Sequence, residues 1–168
     1  MIFFAAALTL LMLAVIYFDI TKFIIPNTIS IILLGLWPVY YFMAPYDINW
    51  TLSLAVTLCV FLFGLLIFTF NIMGGGDVKL FTALSIWIGW QPYTLIQFFT
   101  WVAIAGGILA LFKIIMRLLG KTTGTLKFMP HFIKEKDNIP YGIAIAFSFC
   151  FLLWNGQIIK NISADLLF

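Results

Sequence analysis

The chain has 168 residues, of which 64% are hydrophobic and 9% are charged, with a formal net charge of +3. Soluble globular proteins carry roughly 25% charged residues, so this composition excludes a water-soluble domain and predicts an integral membrane protein. The small positive charge does not indicate nucleic-acid binding, because the basic residues border apolar stretches. We predict a single membrane-embedded domain over residues 1–168 that is surrounded by lipid.

Polar interruptions divide the chain into the six transmembrane helices of an all-α polytopic protein. The predicted helices are 2–18, 28–44, 51–70, 78–93, 95–116 and 139–159. Lys22 lies in the first connection, Lys79 in the third and a group of lysines in the fifth, whereas the second and fourth connections have no Lys or Arg. This charge pattern places the odd connections of the multi-pass protein in the cytoplasm and both termini outside.

The two cysteines and the single histidine give no sign of a metal site. Cys59 and Cys150 lie within apolar stretches and have neither CxxC nor Cys/His spacing, which predicts buried small hydrophobic side chains. His131 lies in the long basic connection and has no serine or cysteine motif to pair with, so a solvated loop residue is predicted. No metal or organic cofactor is expected.

Two acidic residues, Asp19 and Asp77, border apolar stretches at the same predicted membrane face. Asp19 is predicted to begin the first connection and Asp77 to end the third. The adjoining helices have about 17 and 16 residues and span only ~24–26 Å of a ~30 Å hydrocarbon core, so both carboxylates are expected near membrane depth. A carboxylate there is costly unless it is paired, protonated or beside water, which makes it a functional candidate. A solvated helix cap is the alternative for each residue.

Distinct motifs surround the two acids. Asp77 follows three glycines in the string N-I-M-G-G-G-D-V-K, where the absence of Cβ atoms lets the backbone of a second chain approach the carboxylate. A flexible turn between two helices is the alternative for this string alone. Asp19 precedes the string I-P-N, in which Pro26 and Asn27 break one helix, and Asn27 or the following Thr28 caps the next.

An aspartate at the end of the first helix, then I-P-N, then G-G-G-D-V-K at the fourth helix and I-P-Y-G-I-A at 139–144 together resemble the type IV prepilin peptidases. These are GxGD-type aspartyl proteases of bacterial and archaeal membranes. The resemblance is to the short form found with tight-adherence and Flp pilus systems. Longer members begin with a cytosolic insert bearing paired CxxC motifs and are associated with N-methylation of the trimmed pilin. Nothing in residues 1–168 corresponds to this insert, so methyltransferase activity is expected to be absent.

The resemblance implies that Asp19 and Asp77 are the catalytic pair, and that Gly74 and Gly76 are the fixed glycines of the motif with Gly75 as its variable member. The implied reaction removes the short leader of a Flp-like prepilin at the cytoplasmic face of the inner membrane. One carboxylate activates a water while its protonated partner donates a proton. A coupled pair titrates as a unit, so base and acid are not assigned to individual residues.

Further residues are expected to bind substrate, and these are Gly74, Gly75, Gly76, Lys79, Pro140, Tyr141 and Gly142. Two of them have an alternative role, since Lys79 also fits a positive-inside residue and Tyr141 an interfacial aromatic residue. The main alternative for the whole chain is a small transporter or channel that uses intramembrane acids, followed by a structural subunit of a membrane complex. No internal repeat supports a transporter.

Overall fold

A computed structural model describes residues 1–71, 73–122 and 140–159 of the chain. Six helices form within these residues, and no strand is present among them. The helices are α1 (Ile2–Lys22), α2 (Asn27–Met43), α3 (Trp50–Thr69), α4 (Gly75–Ile88), α5 (Pro92–Thr122) and α6 (Tyr141–Trp154). The predicted all-α class is confirmed, and each of the six predicted helices corresponds to a helix among the described residues.

Three of the helices are long and apolar enough to cross a membrane, namely Ile2–Lys22, Trp50–Thr69 and Pro92–Gly120 within α5. The helices α2 and α6 are apolar but shorter. Large apolar side chains also cover the outside of the bundle, where Phe3 is 85% exposed and Phe42 is 83% exposed. Soluble proteins do not expose apolar surface on this scale, so the chain is a membrane protein.

The helices α4 and α6 form the centre of the bundle. Helix α4 packs against α2, α3, α5 and α6, and helix α6 packs against α1, α4 and α5. Trp87 of α4 is fully buried, and its Nε1–H donates a hydrogen bond of 3.2 Å to the carbonyl oxygen of Leu33 in α2. The first turns of α4 and α6 meet the last turn of α1 at one end of this bundle.

Helix α1 is longer than predicted. It continues past residue 18 to Lys22 and ends at Phe23, whose φ of 52° is the left-handed conformation that closes many helices. With 21 residues, α1 is roughly 31 Å long and does not fall short of the hydrocarbon core. Asp19 therefore lies in the last turn of a helix. The sequence-based prediction that it begins the first connection is wrong.

Helix α4 begins earlier and ends earlier than predicted. It starts at Gly75, so Asp77 lies in its first turn and not in the preceding connection. It ends at Ile88, because Pro92 already begins α5, where the first helical position tolerates a residue without an N–H group. With 14 residues, α4 is only about 21 Å long.

Other boundaries differ for equally local reasons. Neither Asn27 nor Thr28 caps α2, because Pro26 occupies the N-cap position and Asn27 is the first helical residue. Helix α5 runs to Thr122 and not to 116. Helix α6 is shorter than 139–159, since it follows Pro140 and ends before Gly156, whose φ is 69°.

The prediction that both cysteines are buried is wrong. Cys59 is exposed and Cys150 is partly buried. Cys59 lies on α3, which packs mainly against α4 and directs most of its surface outwards. His131 and most of the basic connection lie in 123–139, outside the described residues.

Candidate active site

A cavity of about 600 Å³ lies where the last turn of α1, the connection to α2, the end of α3 and the first turn of α4 meet. Its polar lining residues are Asp19, Asn27, Asn71, Asp77 and Lys79. Its remaining lining consists of Phe23, Ile24, Ile25, Phe68, Met73, Tyr141 and the three glycines Gly74, Gly75 and Gly76. The cavity thus joins two carboxylates to apolar side chains and bare backbone.

Asp19 is held by the start of α6. The side chain is only 5% exposed, and its Oδ2 accepts a hydrogen bond of 3.1 Å from the N–H of Ile143. The N–H of Gly142 also donates to this carboxylate. Both donors belong to the first turn of α6, where N–H groups have no partner within the helix. A side chain from α1 therefore caps α6.

Asp77 is held by the start of its own helix. It is the third residue of α4, and its carboxylate accepts a hydrogen bond from the N–H of Gly74 at the N-cap position. This backward contact is the arrangement that an acidic residue makes in a capping box. The positive end of the helix dipole also favours negative charge here. The first turn of α4 thus fixes the second carboxylate beside the cavity.

The two carboxylates lie close enough for their charges to repel each other. They line the same cavity although they come from α1 and α4. Two carboxylates that share a partly buried site do not both ionise readily, so one of them tends to keep a proton. Such a pair can accept a proton from a water molecule with one member and donate a proton with the other. This is the chemistry of acid–base hydrolysis.

The three glycines before Asp77 face three different neighbours. A Cβ added at Gly76 would lie 3.3 Å from Cβ of Ile25 and 3.5 Å from its backbone nitrogen. A Cβ at Gly75 would lie 3.4 Å from the ring of Phe68, which is an ordinary contact. A Cβ at Gly74 would lie 3.2 Å from Oδ2 of Asp77. The tightest backbone approach is therefore between Gly76 and the α1–α2 connection.

Lys79 joins the two motifs that surround the aspartates. Its Nζ donates a hydrogen bond of 2.9 Å to Oδ1 of Asn27, which belongs to the I-P-N string. The Asn27 side chain, for which the sequence suggested a capping role, thus links α2 to α4 instead. Both residues line the cavity.

Most of the residues predicted for the site line the cavity, and these are Asp19, Gly74, Gly75, Gly76, Asp77, Lys79 and Tyr141. Pro140 and Gly142 do not line it. They form the start of α6, where Gly142 contacts the carboxylate of Asp19.

Several residues that line the cavity were not predicted as site residues, and these are Phe23, Ile24, Ile25, Asn27, Phe68, Asn71 and Met73. Their only signal in the sequence is proximity to the I-P-N or G-G-G-D strings. Ile143 was also not predicted, because it contributes a backbone N–H and not its side chain.

Comparison with known protein families identifies the family of this chain. The model of the type IV leader peptidase family matches residues 6–111, which is more than half of the chain and includes both Asp19 and Asp77. Comparisons with curated proteins and with solved structures gave no match. The family match confirms the resemblance seen in the sequence motifs. The chain belongs to the type IV leader peptidase family.

Proposed function

We propose that this protein is an aspartyl endopeptidase that removes the short leader of a Flp-like type IV prepilin, with Asp19 and Asp77 as its catalytic pair. The observation that carries the proposal is the meeting of these two carboxylates in one cavity. Membership of the leader peptidase family supports the choice of a prepilin-type substrate. The transporter alternative does not account for membership of a peptidase family.

In the proposed reaction, the ionised carboxylate accepts a proton from a water molecule whose oxygen attacks the scissile carbonyl carbon. The protonated carboxylate donates its proton to the carbonyl oxygen, which gives a neutral gem-diol. When the diol collapses, one of its hydroxyl groups returns a proton to the ionised carboxylate, the C–N bond breaks, and the leaving nitrogen takes the proton held by the other carboxylate. The pair again holds a single proton, and no covalent enzyme intermediate forms.

The lining of the cavity suits an extended peptide. At membrane depth, each amide group of an extended substrate needs a hydrogen-bonding partner. The backbone N–H groups of Gly75 and Gly76 lie in the first turn of α4, where the helix itself supplies no acceptor, and they can donate to an extended chain. The apolar side chains of Phe68 and Met73 offer contacts for the substrate's apolar residues.

We place the cavity at the cytoplasmic face of the inner membrane, with all six helices crossing the bilayer and both termini outside. Lys22 in the last turn of α1 and Lys79, the fifth residue of α4, support this orientation, because both lie at the cavity end of the bundle. Positive charge concentrates on the cytoplasmic side of membrane proteins. The proposed cleavage then precedes the apolar helix of the prepilin.

Co-expression with a Flp-like prepilin, in a host without its own prepilin peptidase, tests the proposed function. We expect the prepilin to lose its leader, and mass spectrometry of the mature pilin to identify one cleaved bond. An intact prepilin beside a folded, membrane-inserted enzyme would contradict the proposal. This outcome is also the one that the transporter alternative requires.

Replacing Lys79 with methionine is expected to lower kcat/KM for leader removal by about 2–10-fold, because one lost hydrogen bond is worth roughly 0.5–1.5 kcal/mol. Lys22→Met is the matched control, since the Lys22 ammonium lies 5.3 Å from the ring centre of Phe18 and does not line the cavity. Purified variants in detergent micelles give the comparison. Equal rates for the two variants would show that Lys79 serves only as a topological charge.

A further inference from the structure

The start of α6 has no acceptor of its own for its first N–H groups. The N-cap residue is Pro140, which makes no side-chain hydrogen bond to the helix. Helices normally satisfy these groups with Ser, Thr, Asn or Asp at this position. Here the N–H groups of Gly142 and Ile143 donate to the carboxylate of Asp19 instead. The contact therefore serves α6 and fixes Asp19 at the same time.

There is no room for a side chain at Gly142 on the side of its backbone that faces Asp19. A Cβ added at Gly142 would lie 2.7 Å from Oδ2 of Asp19 and 2.9 Å from its Cγ. Real Cβ atoms essentially never lie closer than 3.0 Å to another heavy atom, so a side chain at 142 must displace Asp19 or α6. The φ of Gly142 is outside the left-handed region, because Gly156 is the only glycine with positive φ among the described residues. A glycine is required at this position because no space is available for a side chain, and not because of its backbone conformation.

Ile25 packs against Gly142 on a second side. A Cβ at Gly142 would lie 3.1 Å from Cδ1 of Ile25, while a Cβ at Gly76 would lie 3.3 Å from Cβ of the same residue. Ile25 is buried, at 6% exposure. The α1–α2 connection thus lies between the start of α4 and the start of α6. An added methyl group at 142 meets resistance from both Asp19 and Ile25.

We infer that the first turn of α6 positions the carboxylate of Asp19 for leader removal, with Gly142 as the positioning residue that makes the contact possible. The inference rests on the proposed function, because it assumes that Asp19 takes part in the reaction. It assigns Gly142 to the support of Asp19 and not to substrate binding, since Gly142 does not line the cavity. The P-Y-G string then affects leader removal through the position of the Asp19 carboxylate.

Gly142→Ala tests the catalytic part of the inference. Because misplacing a catalytic group by about 1 Å can cost roughly 100-fold in rate, we expect kcat to fall about 100-fold while KM stays within about threefold of the wild type. Gly107→Ala is the matched control, since nothing lies within 4 Å of its added Cβ. Adding Ile25→Val to Gly142→Ala removes Cδ1 of Ile25 and is expected to recover part of kcat. A normal kcat for Gly142→Ala, or a rise in KM alone, would overturn the positioning role.

Hydrogen exchange tests the contact without reference to cleavage. In detergent micelles, Asp19→Ala is expected to speed amide exchange at Gly142 and Ile143, because their acceptor is lost. Asp19→Asn is expected to keep these amides protected, since its side-chain oxygen still accepts a hydrogen bond. Unchanged exchange in Asp19→Ala would overturn the inference even if Gly142→Ala does not fold. Accelerated exchange together with a wild-type chain that removes no leader would instead overturn the proposed function and leave the contact in place.

Discussion

Replacing Asp19 or Asp77 with asparagine is expected to abolish leader removal, with kcat reduced at least about 1000-fold in each variant, because acid–base groups contribute up to ~10⁴-fold. Asparagine has nearly the same shape as aspartate but neither takes up nor releases a proton in the required way. Asp19→Asn also retains an acceptor for the N–H groups of α6. The loss should therefore reflect chemistry and not the collapse of the first turn. Quantitative mass spectrometry of a prepilin incubated with the purified variants measures the remaining rate.

Asp47→Asn provides the control for these variants. Asp47 is exposed in the α2–α3 connection and does not line the cavity, so its replacement should leave the rate unchanged. Melting temperatures of all three variants in the same micelles separate inactivity from misfolding. A rate within tenfold of the wild type for either site variant would disprove the two-aspartate mechanism.

The helices could be predicted from the sequence because long apolar stretches between polar interruptions have few alternatives in a membrane. Their ends could not, because they depend on the conformation of single residues. Helix α1 runs through Asp19 and ends only at Phe23, whose left-handed φ no sequence pattern marks. Pro92 could be foreseen as a break, yet not as the first residue of the following helix.

The two aspartates of the candidate site could be predicted because the strings around them resemble one family. The groups that hold them could not. Asp19 is held by the backbone N–H groups of Gly142 and Ile143. Nearly every residue has such a group, so the sequence does not show which ones make this contact. Phe68 looks like any lipid-facing residue of an apolar stretch, so only the fold reveals that it lines the cavity.

The glycines before Asp77 illustrate how the structure changes an interpretation of the sequence. The sequence favours all three as a surface for the approaching substrate. In the structure, Gly76 lies against the backbone of Ile25, whereas Gly75 meets only the ring of Phe68 at an ordinary distance. If close packing of α4 on the α1–α2 connection is the main requirement, the two positions should differ in the substitutions they tolerate.

Gly76→Val is therefore expected to lower leader removal at least about 100-fold, because its γ-carbons have no space beside Ile25 and would shift the turn that carries Asp77. Gly75→Ala should stay within about threefold of the wild type, since a Cβ there makes a normal contact. Rates for a purified prepilin in micelles decide between the two interpretations. Equal losses at both positions, accompanied by a raised KM, would favour substrate contact along the whole glycine string. A loss confined to Gly76 would mean that this glycine sets the position of Asp77 relative to Asp19.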